Sequence, residues 1–469
     1  MNGRGDGGGS AGGLEFRWVV CALLFLATAV NYLDRQVLSL TWKDFIAPEF
    51  GWNDSHYGVI TGGFALVYAV CMLFAGRVVD WLGTKKGYLW AIGVWSAAAC
   101  LHALCGRVTS LFAGVASVAS VSMWAFLGCR CLLALGEAGN FPAAIRATAE
   151  HFPPADRAFA TSVFNSGASI GAILAPLTIP PIAAAWGWPA AFIAIGALGF
   201  VWMGFWTFLY RGEVVVGSRS RTKDVNNSAV GLGLPTTTKG DPTTKISFAK
   251  LFALRQSWAL MSARFLTDGV WWFFLFWTPG YLSDRFGYKS ASGTGMAMII
   301  VLYALATVLS IVLCKLPSRF MARPGVRPYD GRMKAMLVFA VIPLVALGAQ
   351  PLGAISAWWP VVLIGFACAG HMAWSANVFS AAGDLFPKHL VGTVTGVAGL
   401  ACGLSSFLFN LGAGRLFTFA AGRGDDFAFL GFTGKDAGYM IMFCICAVAY
   451  LVGWSLMKAL VPEERKVGE

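Results

Sequence analysis

Charge is scarce in this chain of 469 residues: Asp, Glu, Lys and Arg make up 12% of it, about half the share of an ordinary soluble protein. With 57% hydrophobic residues, that scarcity excludes a water-facing globule and argues for a polytopic helical membrane protein. Long polar stretches are few, and apolar runs of about 20 residues, enough to cross a hydrocarbon core of about 30 Å, recur along most of the length. Histidine is rare, five in all, and the eleven cysteines fall mostly inside apolar runs without metal-ligand spacing. Neither a metal centre nor a disulfide framework is expected from them. No nucleophile–base pair or nucleotide loop stands out, so an enzyme has little support and no cofactor is expected. The Gly-rich start, Met1 to Gly13, lacks the basic and apolar segments of a cleavable signal.

What the chain does have is basic charge, a net +12, and its distribution argues against a nucleic-acid partner. Roughly two dozen Lys and Arg fall in loops on one side and about seven on the other. The rich side holds Arg77, Lys85, Lys86, Arg146, Arg157, the stretch 211–250 and the stretch 319–334. That bias places both termini in the cytoplasm of a cell whose inner membrane carries the protein, with the lipid bilayer as its surroundings. The 56 glycines suit close helix packing, and a monomer is expected to suffice.

Taken in order, the apolar runs predict helices near 17–47, 57–79, 87–105, 117–142, 158–180 and 189–210, then 251–281, 291–314, 334–350, 357–383, 391–419 and 437–460. The expected fold is all-α, twelve transmembrane helices in two pseudo-symmetric six-helix halves. Its parts are a flexible tail over 1–13, a first half over 14–211, a polar cytoplasmic linker over 212–247, a second half over 248–462 and a tail over 463–469. A repeat supports the division. Glu150-His151-Phe152-Pro153 resembles Asp384-Leu385-Phe386-Pro387 at an offset of 384 − 150 = 234 residues, and the same offset carries Asp34 onto Asp268 and Glu137 onto His371.

Within the apolar runs a few charges demand explanation. Arg130 and Glu137 lie seven residues apart, on one face of a helix and roughly 10 Å apart along its axis. A charge at bilayer depth is unfavourable by about 2.5–3.5 kcal/mol, so the two need a partner, a cavity or a task. They form either a locking pair to a neighbouring helix or part of a transport site. Asp34 and Arg35 add two more in the first helix, pointing about 100° apart. Asp268 and Arg264, one turn apart, read as a structural pair.

Two sets of motifs resemble a known family. Gly76-Arg77-Val78-Val79-Asp80-Trp81-Leu82-Gly83-Thr84-Lys85-Lys86 is similar to the loop signature of the major facilitator superfamily. The segments Asn31–Ser39, Gly136–Ala143, Phe164–Gly171 and Phe265–Phe273 together resemble its anion:cation symporter family, and within it the proton-coupled hexuronate transporters. The resemblance implies a symporter that imports a sugar-acid anion with protons by alternating access. Another sugar acid such as galactonate or glucarate, an organic-phosphate antiporter and a transporter-like sensor stay open as alternatives.

The resemblance also implies roles. Arg35 receives the substrate carboxylate, while Asp34, Arg130 and Glu137 couple protons, with Asp34 facing Arg130 and Glu137 the freer proton acceptor. Gly76, Asp80, Gly83, Lys85 and Lys86 form a latch on the cytoplasmic gate. Sugar hydroxyls need neutral partners, for which Tyr32, Tyr68, Asn165, His371, Ser375 and Asn410 are candidates. The apolar face of a sugar ring calls for an aromatic wall, offered by Trp271, Trp272, Phe276 and Trp374.

Overall fold

The computed structural model describes residues 9–112, 114–152, 157–210 and 251–464. Twelve long helices make up these segments. They are α1 (Gly9–Thr41), α2 (Asp54–Leu82), α3 (Thr84–Leu101), α4 (Val118–Glu137), α5 (Arg157–Trp186), α6 (Trp188–Leu209), α7 (Arg255–Phe286), α8 (Gly293–Leu313), α9 (Pro328–Val341), α10 (Trp358–Leu385), α11 (Lys388–Arg423) and α12 (Gly434–Leu460). Eleven are long and apolar enough, with their extensions, to cross a membrane. The other, α7, has the length but carries Arg264, Asp268, Asp284 and Arg285, because it runs through the middle of the bundle and not along its surface. The expected linker over 212–247 lies outside the described residues.

Several boundaries differ from the expected ones for local reasons. Residues 9–13 continue α1, so the expected tail over 1–13 is already helical in its last third. The fourth span breaks at Ala138 and Gly139 and resumes as Asn140–His151, because Pro142 cannot donate to the ladder of the preceding turn. Beyond Thr41 the chain passes through a π-helical turn, Trp42–Ile46, before Ala47–Phe50. The wider turn buries Trp42 and Ile46 while Lys43 and Asp44 stay half-exposed beside α7. Between α11 and α12 a small hairpin pairs Ala428–Phe429 with Phe432–Thr433.

Helices meet where side chains are small. Against the backbone of α11, α2 presents Gly58, whose added Cβ would stand 2.6 Å from the Asn410 carbonyl oxygen; Gly414 on α11 would likewise meet the Asp54 carbonyl at 2.5 Å. In α4, Gly136 lies against the backbone of α3 at Trp95 in the same way. Such contacts replace side-chain volume by backbone approach, the usual mode of association where lipid removes any hydrophobic drive between helices. All eleven cysteines are free thiols.

The α2–α11 seam is therefore intolerant of a side chain at one glycine and indifferent at another. Gly58→Val should destabilise the fold by about 1–3 kcal/mol, whereas Gly76→Val on the same helix, which meets nothing within 4 Å, should leave Tm in detergent near that of the parent. Equal Tm values for the two variants would show that the seam is looser than this.

Candidate functional site

At the centre of the bundle the buried charges gather as their helical phases dictate. Arg35 from α1 and Glu137 from α4 form an ion pair, Nε to Oε2 at 2.6 Å, with both side chains at 5% exposure or less. Four rings surround the guanidinium: Tyr68 at 4.7 Å, Tyr32 and Trp272 at 5.2 Å and Phe64 at 6.0 Å from its carbon. Cation–π attraction of this kind is strongest where water is excluded, so the cage favours the charged arginine at a depth that otherwise penalises it.

This pairing corrects the expected one. Asp34 does not bond Arg130; both of its carboxylate oxygens are buried without a hydrogen-bond partner, as are Nε and Nη2 of Arg130 and Oε1 of Glu137. The physical reason is the rotation of α1 about its own axis. Asp34 and Arg35 point about 100° apart, and α1 packs with Arg35, not Asp34, turned toward the last turn of α4. Glu137, expected as the freer proton acceptor, is the carboxyl that pairs with Arg35. Arg130 is 3% exposed and stacks at 5.8 Å from Phe64.

Arg35 and Arg130 share a small cavity, about 190 Å³ including its mouth, with Leu38, Ser39, Tyr57, Thr61, Phe64 and Phe276. Two guanidiniums, three hydroxyl-bearing residues and two aromatic faces suit an anion with hydroxyls and an apolar side. Ser39, Tyr57, Thr61 and Phe64 were not among the expected site residues. Their signal was present: Tyr57, Thr61 and Phe64 follow i, i+4, i+7 spacing on one face of α2, and Ser39 lies one turn beyond Arg35.

The remaining expected residues divide. Trp271 stacks on His371 (centroids 5.3 Å, planes 10° apart), and His371 Nδ1 lies 2.8 Å from the Tyr450 hydroxyl. Trp374 is fully buried edge-on to Tyr450, and Ser375 is half-buried on the same helix. These form a second group, joined to the arginine cage because Trp271 and Trp272 are successive residues of α7. Asn410 is corrected to a packing residue: Oδ1 accepts from Trp277 Nε1 at 3.0 Å and Nδ2 donates to the Ser406 carbonyl at 2.8 Å. Asn165 is exposed on α5, away from the cavity lining. Arg264 and Asp268 do pair, at 2.7 Å, with Phe379 at 4.4 Å from the guanidinium carbon.

The two ends of the bundle are built differently. At the end bearing the Gly76–Lys86 loop, Lys85 Nζ donates to the carbonyls of Thr207 and Tyr210 at the C-terminus of α6. Glu150 accepts from Thr84, Arg146 and Tyr210, and Arg146 also donates to the Val79 carbonyl. The side chain of Asp80 lies outside the described residues. Gly83 takes φ +78°, a conformation that favours glycine, between α2 and α3. These described contacts tie the loop to its own half.

The opposite end joins the halves. Lys43 pairs with Asp284 at 2.7 Å, and Lys435 of α12 bridges Asp54 of α2, at 2.8 Å, and Asp284 of α7. Asp44 accepts from the Ser283 hydroxyl and the Ser290 amide, and the Ser55 hydroxyl meets Thr418 at 2.8 Å. Among the described residues, every ion pair between the first six and last six helices lies at this end.

Three comparisons bear on this geometry. A family model described as Major Facilitator Superfamily matches residues 24–410. The hexuronate transporter of Escherichia coli (strain K12) is 28% identical over 405 residues, 85% of this chain and 87% of that protein. The D-galactonate transporter of Escherichia coli O6:H1 is 25% identical over 410 residues, 85% and 89% of the respective lengths. A bacterial homologue of the human lysosomal transporter Spinster, in an inward-facing and unoccupied conformation, superposes with a TM-score of 0.72 at 18% identity, covering 97% of this chain and 99% of that one.

The ion pairs at the joined end give a prediction. Lys435→Gln removes the bridge between Asp54 and Asp284 and should raise labelling of a Ser55→Cys reporter by a membrane-impermeant maleimide several-fold, because the bridging side chains are only 7–19% exposed and its loss leaves two carboxylates without their shared cation. Unchanged labelling would show that the seam, not the charges, holds this end shut.

Proposed function

The chain belongs to the major facilitator superfamily, which makes it a multi-pass membrane transporter and not an enzyme. On that premise we propose that it is a proton-coupled symporter that imports a sugar-acid anion, most simply a hexuronate, across a bacterial inner membrane by alternating access. The observation that carries the reading is the buried Arg35–Glu137 pair beside a second, unbonded arginine.

Arg35 and Arg130 contribute two positive charges and Glu137 one negative. Asp34 has no donor for either oxygen, and we read it as carrying a proton in this state. The cluster then holds one net positive charge, matched to one carboxylate. Arg35 is the fork that receives it, and Glu137 occupies the Nε edge of that fork until the substrate arrives. Protonation of Glu137 frees Arg35, so proton and anion enter together. Asp34 keeps its proton while substrate is bound; only after release do Glu137 and Asp34 give their protons to the cytoplasm, which restores the Arg35 pair, supplies Arg130 with a partner and leaves the empty site neutral. Hydroxyls are met by Tyr32, Tyr68, Ser39 and Thr61, the ring by Trp272 and Phe276. The hexuronate and galactonate relatives support this class of substrate.

With the termini and the Gly76–Lys86 loop in the cytoplasm, as the basic loops argue, the joined end faces outward, and we read the state as closed to the outside. The six-helix halves, 14–211 and 248–462, then rock about the α2–α11 seam, and the loop's Lys85 and Lys86 engage the other half only when the cytoplasmic end closes.

The test is uptake into proteoliposomes of labelled glucuronate, galacturonate, galactonate and glucarate, with and without an imposed pH gradient. A hexuronate should accumulate only with the gradient. Glu137→Gln should still bind and exchange substrate but not concentrate it, and Arg35→Lys should lose at least about tenfold in affinity as the planar fork is lost. Accumulation that persists without the gradient, or in Glu137→Gln, overturns the coupling; normal affinity in Arg35→Lys overturns the carboxylate assignment.

A further inference from the structure

A second hollow lies away from the transport site, on the outer face of the first six helices near the Gly76–Lys86 loop. It is a slot of about 470 Å³, its open mouth included, between α2, α3 and α4. Its walls are Phe74, Trp90 and Leu135, each 42–54% exposed, and its floor is Ala75, Ala91 and Gly139. The floor is where the helices touch: an added Cβ on Gly139 would stand 2.8 Å from that of Ala91. No side chain fills the space above. The lining is apolar, so neither a sugar acid nor a free anion has anything to bond inside it.

The rim supplies the missing polarity. Arg77 lies three residues beyond Phe74 and Lys86 four before Trp90, so each shares a helix face with one of the slot's wall aromatics. Both are exposed, and neither makes an ion pair or hydrogen bond among the described residues. Their neighbours Lys85 and Arg146 are, by contrast, engaged with the α6 carbonyls and with Glu150. Trp81, 83% exposed in the same loop, marks headgroup level. An apolar slot opening on the bilayer, with two cations at its polar end that are unpaired among the described residues, suits an anionic amphiphile.

We propose that this slot is a binding site for an anionic phospholipid, with one acyl chain between Phe74 and Trp90 and the phosphate between Arg77 and Lys86. The lipid braces α2 against α4 beside the loop that the transport cycle must move, which makes it a regulator as well as a ligand.

Retention of lipid by the purified full-length chain, read by native mass spectrometry, tests this. The protein is exchanged into detergent containing phosphatidylglycerol or phosphatidylcholine with identical acyl chains. The parent should hold one phosphatidylglycerol about tenfold more strongly than phosphatidylcholine. Arg77→Gln/Lys86→Gln should abolish that preference, and Val78→Trp, which fills the slot, should lower retention of both lipids. Added inorganic phosphate should not displace the bound lipid. Equal retention of the two lipids by the parent, an unchanged preference in the double variant, displacement by phosphate, or full retention by Val78→Trp with its Tm preserved would each overturn the proposal. Ala75→Leu, a smaller filling of the same slot, should reproduce the loss if Val78→Trp alters Tm.

Discussion

A guanidinium held against a carboxylate at bilayer depth sets the terms for the rest of this structure. Neither Arg35 nor Glu137 is tolerable there alone, since removing one partner leaves a buried charge that is unfavourable by several kcal/mol. The surroundings are organised to keep the pair charged: four rings around Arg35, an α4 whose last helical turn brings Glu137 into line, and a kink at Ala138–Gly139 just beyond it. Yet the site is left short of partners. Three carboxylate oxygens and two guanidinium nitrogens in the same cluster have none. Groups left in want of a proton or an anion are what a carrier of protons and anions requires.

The same logic separates the two ends of the bundle. At one end, charges from α2, α7, α12 and the π turn cross between the halves; at the other, Lys85 and Arg146 bond carbonyls and Glu150 within the first half. Between them runs a glycine seam of α2 on α11 that permits close contact without interlocking side chains. Ion pairs at the end of the bundle can exchange for others as the halves move, whereas a deeply interdigitated core could not.

Much of this was legible in the sequence, and the limits follow from what a sequence encodes. The twelve spans are visible because length and apolarity are local properties. That Arg35, Arg130, Glu137 and Asp34 belong to one cluster is visible because charges at bilayer depth have few reasons to exist. Which of them bond is not, since it turns on the rotation of α1 against α4, and a shift of one residue exchanges Asp34 for Arg35. Asn410 is misread for the same reason: its partner Trp277 is 133 residues away. The Lys435 bridge joins positions as far as 381 residues apart and carries no motif. Of the four cage rings, Trp272 is expected as an aromatic wall and Tyr32 and Tyr68 only as hydroxyl partners; Phe64 is not expected at all, because a phenylalanine in an apolar helix looks like packing.

The central claim is that substrate and Glu137 compete for Arg35, with a proton resolving the competition. Calorimetric titration of the purified protein with a hexuronate, at one pH in two buffers of different ionisation enthalpy, measures the protons taken up on binding. The account predicts uptake of about one proton per substrate for the parent and none for Glu137→Gln, which still binds. Saturable binding by the parent with the same heat in both buffers would contradict it.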